Sequence, residues 1–212
     1  MNWDPLRTLR TALWITGGQW AGKSTVCGIL AERHGLVHYA YDYHTARGHE
    51  DRRMMAQLRR GEAVTEFDAE AHFVTASPQE SAAMALAGFA ERFEWALDDI
   101  RALTTPRPVL ADGWGLRPEL IMRVAGDPGR VLVMVPTDAF RRLQEGRMER
   151  ARMDPGRVSD PAKAQRNRLE RDRLIAADAV ATARRRGIRV LEVDGTRDAE
   201  ETADLVAEHF KL

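Results

Sequence analysis

The chain has 212 residues, of which 44% are hydrophobic and 30% charged, and its formal net charge is zero. This length and composition predict one globular domain over residues 1–212, and the neutral charge gives no general attraction to nucleic acid or to a membrane surface. The one cysteine, Cys27, excludes an internal disulfide. The sequence also shows no apolar leader and no long apolar run, and these features together predict a cytoplasmic location.

The first predicted elements are a strand, a glycine-rich turn and a helix. Residues 11–16 are mostly apolar, and residues 23–33 carry apolar side chains at helical spacing, with Gly35 placed to end the helix. Between them, residues 17–24 read GGQWAGKS and fit G-x-x-x-x-G-K-[ST], the phosphate-binding loop. A strand before this loop and a helix after it are the context that the motif requires.

The residue types of this loop suit a nucleoside triphosphate. Gly17 and Gly22 allow backbone turns that a Cβ would obstruct, so that successive N–H groups form a nest for an anion. Lys23 can reach the β- and γ-phosphates, and the Ser24 hydroxyl can ligate Mg²⁺. Lysine is scarce, with three among 32 basic residues, yet one stands at the required position. ATP is therefore expected to bind Gly17, Gly18, Gln19, Trp20, Ala21, Gly22, Lys23, Ser24 and Thr25.

The rest of the chain alternates apolar runs with helical patterns, which is typical of a parallel sheet with crossover helices. Further strands are predicted at residues 36–41, 109–112, 130–135 and 188–193. Further helices are predicted at about residues 45–60, 78–103, 118–124 and 198–210. Another helix is predicted to begin near residue 137, and a separate one to end at about residue 186. Ser77 before Pro78 is a good N-cap for the long helix.

Two aspartates follow predicted strands. Asp112 ends the third strand, where the acidic Walker B residue is expected to hold Mg²⁺ together with Ser24; the alternative is a turn residue before Gly113. Asp42 ends the second strand, and the alternative for it is a helix N-cap. Because ligands bind beyond the carboxyl ends of parallel strands, both carboxylates and the phosphate loop are expected at one edge of the sheet.

Asp42 is, together with Lys23, a candidate catalytic residue. Phosphoryl transfer needs positioning and charge neutralisation more than covalent help, so a carboxylate there would orient or deprotonate an acceptor hydroxyl. A phosphate acceptor is already anionic and would require arginines instead. Asp42 therefore favours an alcohol acceptor.

An arginine-rich passage, residues 141–173, contains a plausible loop tip at residues 154–156. It predicts a mobile lid over about residues 141–160. Guanidinium groups that close over the γ-phosphate would stabilise charge in the transition state, and Arg147 and Arg150 are the candidates, followed by Arg141. The alternative is a solvated helix face with ion pairs between neighbouring turns.

These motifs resemble the small P-loop kinases of the adenylate-kinase-like superfamily over about residues 11–210. Residues 16–25 match their phosphate loop, and Asp112-Gly113 resembles the Asp-Gly of their third strand. Residues 193–196 resemble their adenine-bordering loop, which implies that Gly195 and Thr196 contact the nucleotide. The resemblance implies a three-layer α/β/α fold, with a five-stranded parallel sheet in the order 2-3-1-4-5 and a helical lid.

Within this superfamily, Asp42 is similar to the aspartate of shikimate, gluconate and chloramphenicol kinases that contacts the hydroxyl to be phosphorylated. Adenylate kinases continue Asp-Gly-Phe-Pro-Arg, whereas residues 112–117 read DGWGLR, so that Arg117 is shifted by one position. The acceptor-binding region, about residues 42–107, carries no substrate signature of the superfamily.

The sequence thus predicts an ATP- and Mg²⁺-dependent kinase that phosphorylates a hydroxyl of a small metabolite or antibiotic. One alternative is a nucleoside monophosphate kinase, in which arginines of the acceptor region bind the acceptor phosphate; these are Arg47, Arg52, Arg53 and Arg92. The other is a nucleotide-sensing or partner-binding protein that holds ATP without transferring phosphate.

Overall fold

The structure is a computed structural model that describes residue 4, residues 6–147 and residues 155–212. Within these ranges, five parallel strands form one sheet in the order β2-β3-β1-β4-β5. The strands are β1 Leu13–Gly17, β2 Val37–Ala40, β3 Val109–Asp112, β4 Val131–Pro136 and β5 Arg189–Val193. This strand order confirms the order 2-3-1-4-5 that the sequence predicts.

Helices connect the strands. They are α1 Thr8–Thr11, α2 Lys23–His34, α3 Tyr41–His44, α4 Glu50–Arg59, α5 Pro78–Arg101, α6 Pro118–Ala125, α7 Asp138–Arg147, α8 Pro161–Arg185 and α9 Ala199–Phe210. A turn of π-helix at Thr45–His49 adjoins α4, and another at Ala71–Thr75 precedes α5. Among the described residues, no helix combines the length and apolar character needed to cross a membrane.

The sheet is covered on both faces, which explains why its central strands are continuous apolar runs. Helices α2 and α9 pack on one face, where Leu30 and Val206 are buried. Helices α5, α6 and α8 cover the other face, where Phe93 and Ala179 are buried. All of β4 is buried between the two helical layers. The result is the three-layer α/β/α arrangement.

The register brings the predicted functional residues to one edge. Asp112 lies opposite Ile15 of β1 and opposite Ala40 of β2. The phosphate loop leaves β1 at Gly17, and the backbone N–H of Gly18 donates to the carbonyl of Met134 on β4 at 2.9 Å. The carboxyl ends of β1, β2 and β3 therefore meet where the sequence predicts a ligand site.

Some predicted boundaries differ from those of the structure. Strand β2 ends at Ala40, and Tyr41 begins a helical segment because its ring is fully buried against the loop after β3. Pro136 stays in β4, paired with Val193, so that α7 begins at Asp138. The N-terminal boundary of α5 is as predicted, since Ser77 caps it and forms a capping box with Glu80.

Candidate active site

The phosphate loop is shaped by close backbone packing. Gly17 has φ 118°, and a Cβ there would lie 2.2 Å from the carbonyl oxygen of Met134, so only glycine fits against β4. Gly22 has φ 77° and immediately precedes α2. Trp20 has φ 67°, which is an uncommon conformation for a side chain of this size and costs on the order of 1–3 kcal/mol. The loop is therefore curled as an anion nest requires.

Lys23 lies inside this loop. Its side chain is buried, and its Nζ donates a hydrogen bond to the carbonyl oxygen of Gly18 at 2.6 Å. Burial lowers the pKa of Lys23, while the carboxylates of Asp42 and Asp112 oppose that shift. An ammonium between two carboxylates and a ring of backbone N–H groups is placed to bind phosphate oxygens.

Ser24 and Asp112 meet at the start of α2. The Ser24 hydroxyl donates to Asp112 Oδ2 at 2.7 Å, and Asp112 is buried as the last residue of β3. A hydroxyl beside a carboxylate supplies the oxygen ligands that Mg²⁺ prefers, so these two residues fit the metal expected with ATP. The other oxygen, Asp112 Oδ1, lies 2.6 Å from Nε2 of His38 on β2.

His38 was missed by the sequence analysis, which gave it no role. The feature that connects His38 with the site is its position on β2. His38 lies opposite Leu110, two residues before the Ala40–Asp112 pair, so it shares a face of the sheet with Asp112. This proximity depends on strand register, which the sequence does not reveal.

Asp42 lies in the first turn of α3 and opens onto the same cleft as Lys23. It is not the N-cap of that helix, because Ala40 holds that position. The backbone N–H of Trp114 donates to its carboxylate. Asp42 is exposed to the open cleft, and the loss of hydration there raises the pKa of its carboxyl to about 6, with Lys23 opposing and Asp112 adding to the rise. A carboxylate with this pKa can accept a proton near neutral pH.

The loop after β3 is built around Tyr41, which explains its departure from the Asp-Gly-Phe-Pro-Arg pattern. A Cβ at Gly113 would lie 2.6 Å from Cβ of Tyr41, and one at Gly115 would lie 2.4 Å from its Cε1. Both glycines are needed for this contact. Between them, Trp114 lines the cleft and packs edge-on against Phe89, with ring centroids 4.9 Å apart.

Arg117 does not face the acceptor. Its guanidinium is fully buried, donating to the carbonyl oxygen of Ile175 at 3.2 Å and to Asp178 at 2.5 Å. It therefore fastens α6 to α8.

The cleft has a volume of about 910 Å³. This is near the upper end of small-molecule sites and leaves room for a nucleotide and a small acceptor. Most of the sequence-predicted site residues line it: Gln19, Trp20, Ala21, Gly22, Lys23, Ser24, Thr25, Asp42 and Gly195. Gly17 and Gly18 lie on the side of the loop that packs against β4.

The loop after β5 forms the far end of the cleft. Gly195 has φ 85°, and a Cβ there would lie 2.6 Å from the ring of Phe140 on α7. Thr196 is not among the described residues that line the cleft, and its hydroxyl donates to Asp194 at 2.7 Å. Phe140, which the sequence analysis did not single out, also lines the cleft. Its contact with Gly195 joins distant segments and has no local sequence signal.

The predicted lid arginines have different positions. Arg147 is exposed at the end of α7 and is not among the described residues that line the cleft, whereas Arg150 lies outside the described residues. Arg141 pairs with Asp138 one turn earlier, at 2.6 Å. From α8, Arg168 does line the cleft. The sequence analysis placed Arg168 in the arginine-rich passage but gave it no role.

Two solved structures are distant likenesses of this chain. No protein-family model matches the sequence, and no curated protein matches it. The chain is similar to a gluconokinase from Sinorhizobium meliloti 1021, at 15% identity and TM-score 0.43, over 96% of this chain and 93% of that one. It is also similar to a shikimate kinase from Aquifex aeolicus vf5, at 17% identity and TM-score 0.45, over 93% of this chain and 95% of that one. At such identities and TM-scores, activity must be inferred from the residues of the cleft.

Proposed function

We propose that the chain is a phosphotransferase that moves the γ-phosphate of ATP, in the presence of Mg²⁺, to a hydroxyl of a small metabolite or antibiotic. Residues 1–212 form one kinase domain in this proposal, with an acceptor-binding region at about residues 42–107 and a lid at about residues 141–160. The observation that carries it is Asp42, which opens onto the same cleft as Lys23 and whose pKa is raised to about 6.

The phosphate loop would hold the nucleotide. Backbone N–H groups of residues 17–25 and the Lys23 ammonium bind its phosphates, and Ser24 and Asp112 hold Mg²⁺. Bound ATP and Mg²⁺ supply the transferable phosphoryl group and neutralise its charge. Gly195 and Phe140 border the base, and Thr196 shapes that loop through its bond to Asp194.

Asp42 would act on the acceptor. Its carboxylate accepts the hydroxyl proton or holds the hydroxyl in line with the transferred group, while the Trp114 N–H keeps the carboxylate oriented. Trp114 and Ala46 line the cleft beside Asp42 and give the acceptor pocket an apolar wall. This wall favours an acceptor that presents a hydrophobic face next to its hydroxyl.

Guanidinium groups would complete the charge balance. Arg168 lines the cleft from α8, next to the buried pair Arg171 and Asp172, and is placed to meet a phosphate oxygen. Arg147 and Arg150 remain predicted contributors that a closing lid would bring to the transferred group. Losing one such donor typically lowers the rate by about 10²–10³.

The acceptor region disfavours a nucleoside monophosphate kinase. Arg52 donates to Asp99 at 2.5 Å, and Arg53 is bound to Glu50 and to the carbonyl oxygen of Thr65. Arg47 stacks over the Tyr43 ring, 4.5 Å from its centroid. Three of the four arginines that could bind an acceptor phosphate are therefore engaged elsewhere, and the fourth, Arg92, packs by Gly88.

A transfer screen with γ-labelled ATP tests the proposed activity. The purified chain is incubated with ATP, Mg²⁺ and pooled metabolites, nucleosides, nucleotides or antibiotics, with Lys23→Ala as the blank. A labelled product with a hydroxyl acceptor, absent from the blank, is the expected result. Labelled nucleoside diphosphates would identify the monophosphate kinase instead, and tight ATP binding with no product would identify the nucleotide sensor.

A further inference from the structure

Three side chains behind the phosphate loop form a group with the donors of a transition-metal site. They are Cys27 on α2, His38 on β2 and Asp112 on β3. Their ligand atoms, one sulfur, one ring nitrogen and one carboxylate oxygen, all lie within 4.8 Å of one another. The proposed kinase chemistry uses Asp112 for Mg²⁺ and gives no role to the other two.

The fold brings them together by register. His38 and Asp112 share the face of the sheet that packs against α2, because Leu110, the partner of His38, belongs to that layer of the core. Cys27 lies one helical turn after Ser24, whose hydroxyl bonds Asp112. Three elements that are distant in sequence thus converge on one small volume.

The donor types distinguish this group from the Mg²⁺ site. Mg²⁺ binds oxygen ligands, whereas Zn²⁺ and similar cations prefer thiolate and imidazole. We propose that Cys27, His38 and Asp112 bind a thiophilic divalent cation of the Zn²⁺ class, with water in the fourth position. Binding releases the Cys27 thiol proton to solvent.

Small adjustments would be enough to form the site. Tetrahedral ligation at about 2.0–2.3 Å separates ligand atoms by roughly 3.3–3.7 Å. The His38 Nε2 and Asp112 Oδ1 atoms are 2.6 Å apart and would separate by about 1 Å. The other two distances are at most 4.8 Å, so each would have to close by no more than about 1 Å.

The ion has a route to the site. Cys27 is fully buried, but the His38 side chain is 24% exposed on β2, the edge strand of the sheet. A cation can therefore enter beside β2 without crossing the nucleotide cleft.

Occupation of this site would oppose Mg²⁺ binding. Asp112 is common to both positions, and two divalent cations a few ångströms apart repel each other strongly. A thiophilic cation would therefore inhibit phosphate transfer. This consequence rests on the proposed function. The metal site itself is independent of the nucleotide and the acceptor.

Cobalt absorption spectroscopy tests the site directly. Co²⁺ is titrated into the untagged full chain in the presence of excess Mg²⁺, with no nucleotide. We expect one Co²⁺ per chain, a thiolate-to-cobalt charge-transfer band, and displacement by Zn²⁺ but not by Mg²⁺. Cys27→Ala should lose the band, and His38→Gln should weaken Co²⁺ binding by about tenfold or more.

His34→Gln is the matched control, because His34 is exposed at the far end of α2 and should bind no less cobalt than the parent chain. Absence of the band in the parent chain, or its persistence in Cys27→Ala, would overturn the proposal. Circular dichroism checks the fold of Cys27→Ala. Should that variant not fold, the parent spectrum and His38→Gln decide the question, whether or not the chain proves to be a kinase.

Discussion

The pKa of Asp42 is raised to about 6, chiefly by partial loss of hydration at its exposed position in the cleft, and Lys23 opposes this rise. Lys23 in turn has a lowered pKa because it is buried in the loop. The charge state of Lys23 therefore depends on that of Asp42, and both depend on Asp112. The three side chains hold a partly compensated charge cluster at the point where a phosphoryl group would be transferred.

The raised pKa predicts a pH limit on turnover. If Asp42 accepts a proton from the acceptor, it must be ionised, so the rate with a saturating acceptor should fall roughly tenfold per pH unit below about 6. A pH–rate profile at saturating ATP measures this. A flat profile down to pH 5 would show that Asp42 does not accept the proton.

The same shift predicts an effect on stability. The folded chain binds the Asp42 proton more tightly than the unfolded chain, whose Asp pKa is about 3.9, so this group's favourable contribution is present at low pH and is lost as pH rises through about 6. Asp42→Asn should therefore raise the melting temperature at pH 8, and the gain should shrink toward pH 4. Thermal unfolding at several pH values checks it; an equal gain at all pH values would contradict the shift.

The helical segment that carries Asp42 is held by packing and by a buried polar network. Tyr41 packs under Gly113 and Gly115 on one side. On the other side, Asp99 of α5 accepts hydrogen bonds from the Tyr39 hydroxyl at 2.9 Å and from His49 at 2.8 Å. The position of the Asp42 carboxylate thus depends on contacts with the loop after β3 and with α5.

Gly115→Ala should disturb this segment. Its Cβ would overlap the Tyr41 ring, so we expect a loss of about 1–3 kcal/mol in the free energy of unfolding. Tyr41→Leu removes the overlapping atoms, so the double variant should lose less than the sum of the single losses. Denaturant unfolding of the four proteins measures the coupling.

Gly28→Ala in α2 is the control for that comparison, because a Cβ there meets nothing within 4 Å. It should be neutral or stabilising by up to about 1 kcal/mol. Strictly additive losses for Gly115→Ala and Tyr41→Leu would show that the Tyr41 contact does not explain the glycine.

Local patterns predicted most of these elements but not their contacts. Ser77-Pro78 marked the start of α5 because capping is local chemistry. By contrast, β2 ends early because Tyr41 must reach a loop some seventy residues away, and no nearby residue signals this. His38 and Phe140 escaped notice for the same reason, since strand register and the β5 loop bring them to the site.

In the molecule as a whole, the described residues form an open cleft at the carboxyl ends of the strands. The predicted acceptor region also contacts the end of the predicted lid and helix α8. Glu70 accepts hydrogen bonds from the backbone N–H and the hydroxyl of Ser159, and Asn167 of α8 donates to the carbonyl oxygen of Phe73 at 2.9 Å. Both sides of the cleft are thus joined. The strand order was predictable from the resemblance of the sequence motifs to the small P-loop kinases, whereas this junction has no local sequence signal.

Nucleotide binding should stabilise the entire fold. At 100 times the dissociation constant, ATP with Mg²⁺ should add about 2.7 kcal/mol, which for a chain of this size corresponds to a rise of roughly 5–10 °C in melting temperature. Lys23→Ala should show a much smaller rise. An equal rise in Lys23→Ala would mean that ATP binds away from the phosphate loop.

The measurement that tests the proposed function most directly is the rate of labelled phosphate transfer by Asp42→Asn at saturating ATP and Mg²⁺, with the acceptor found in the screen. We predict unchanged ATP affinity and a transfer rate lower than that of the parent chain by about 10²–10⁴. A transfer rate equal to that of the parent chain would contradict the assignment of Asp42 and with it the hydroxyl kinase proposed here.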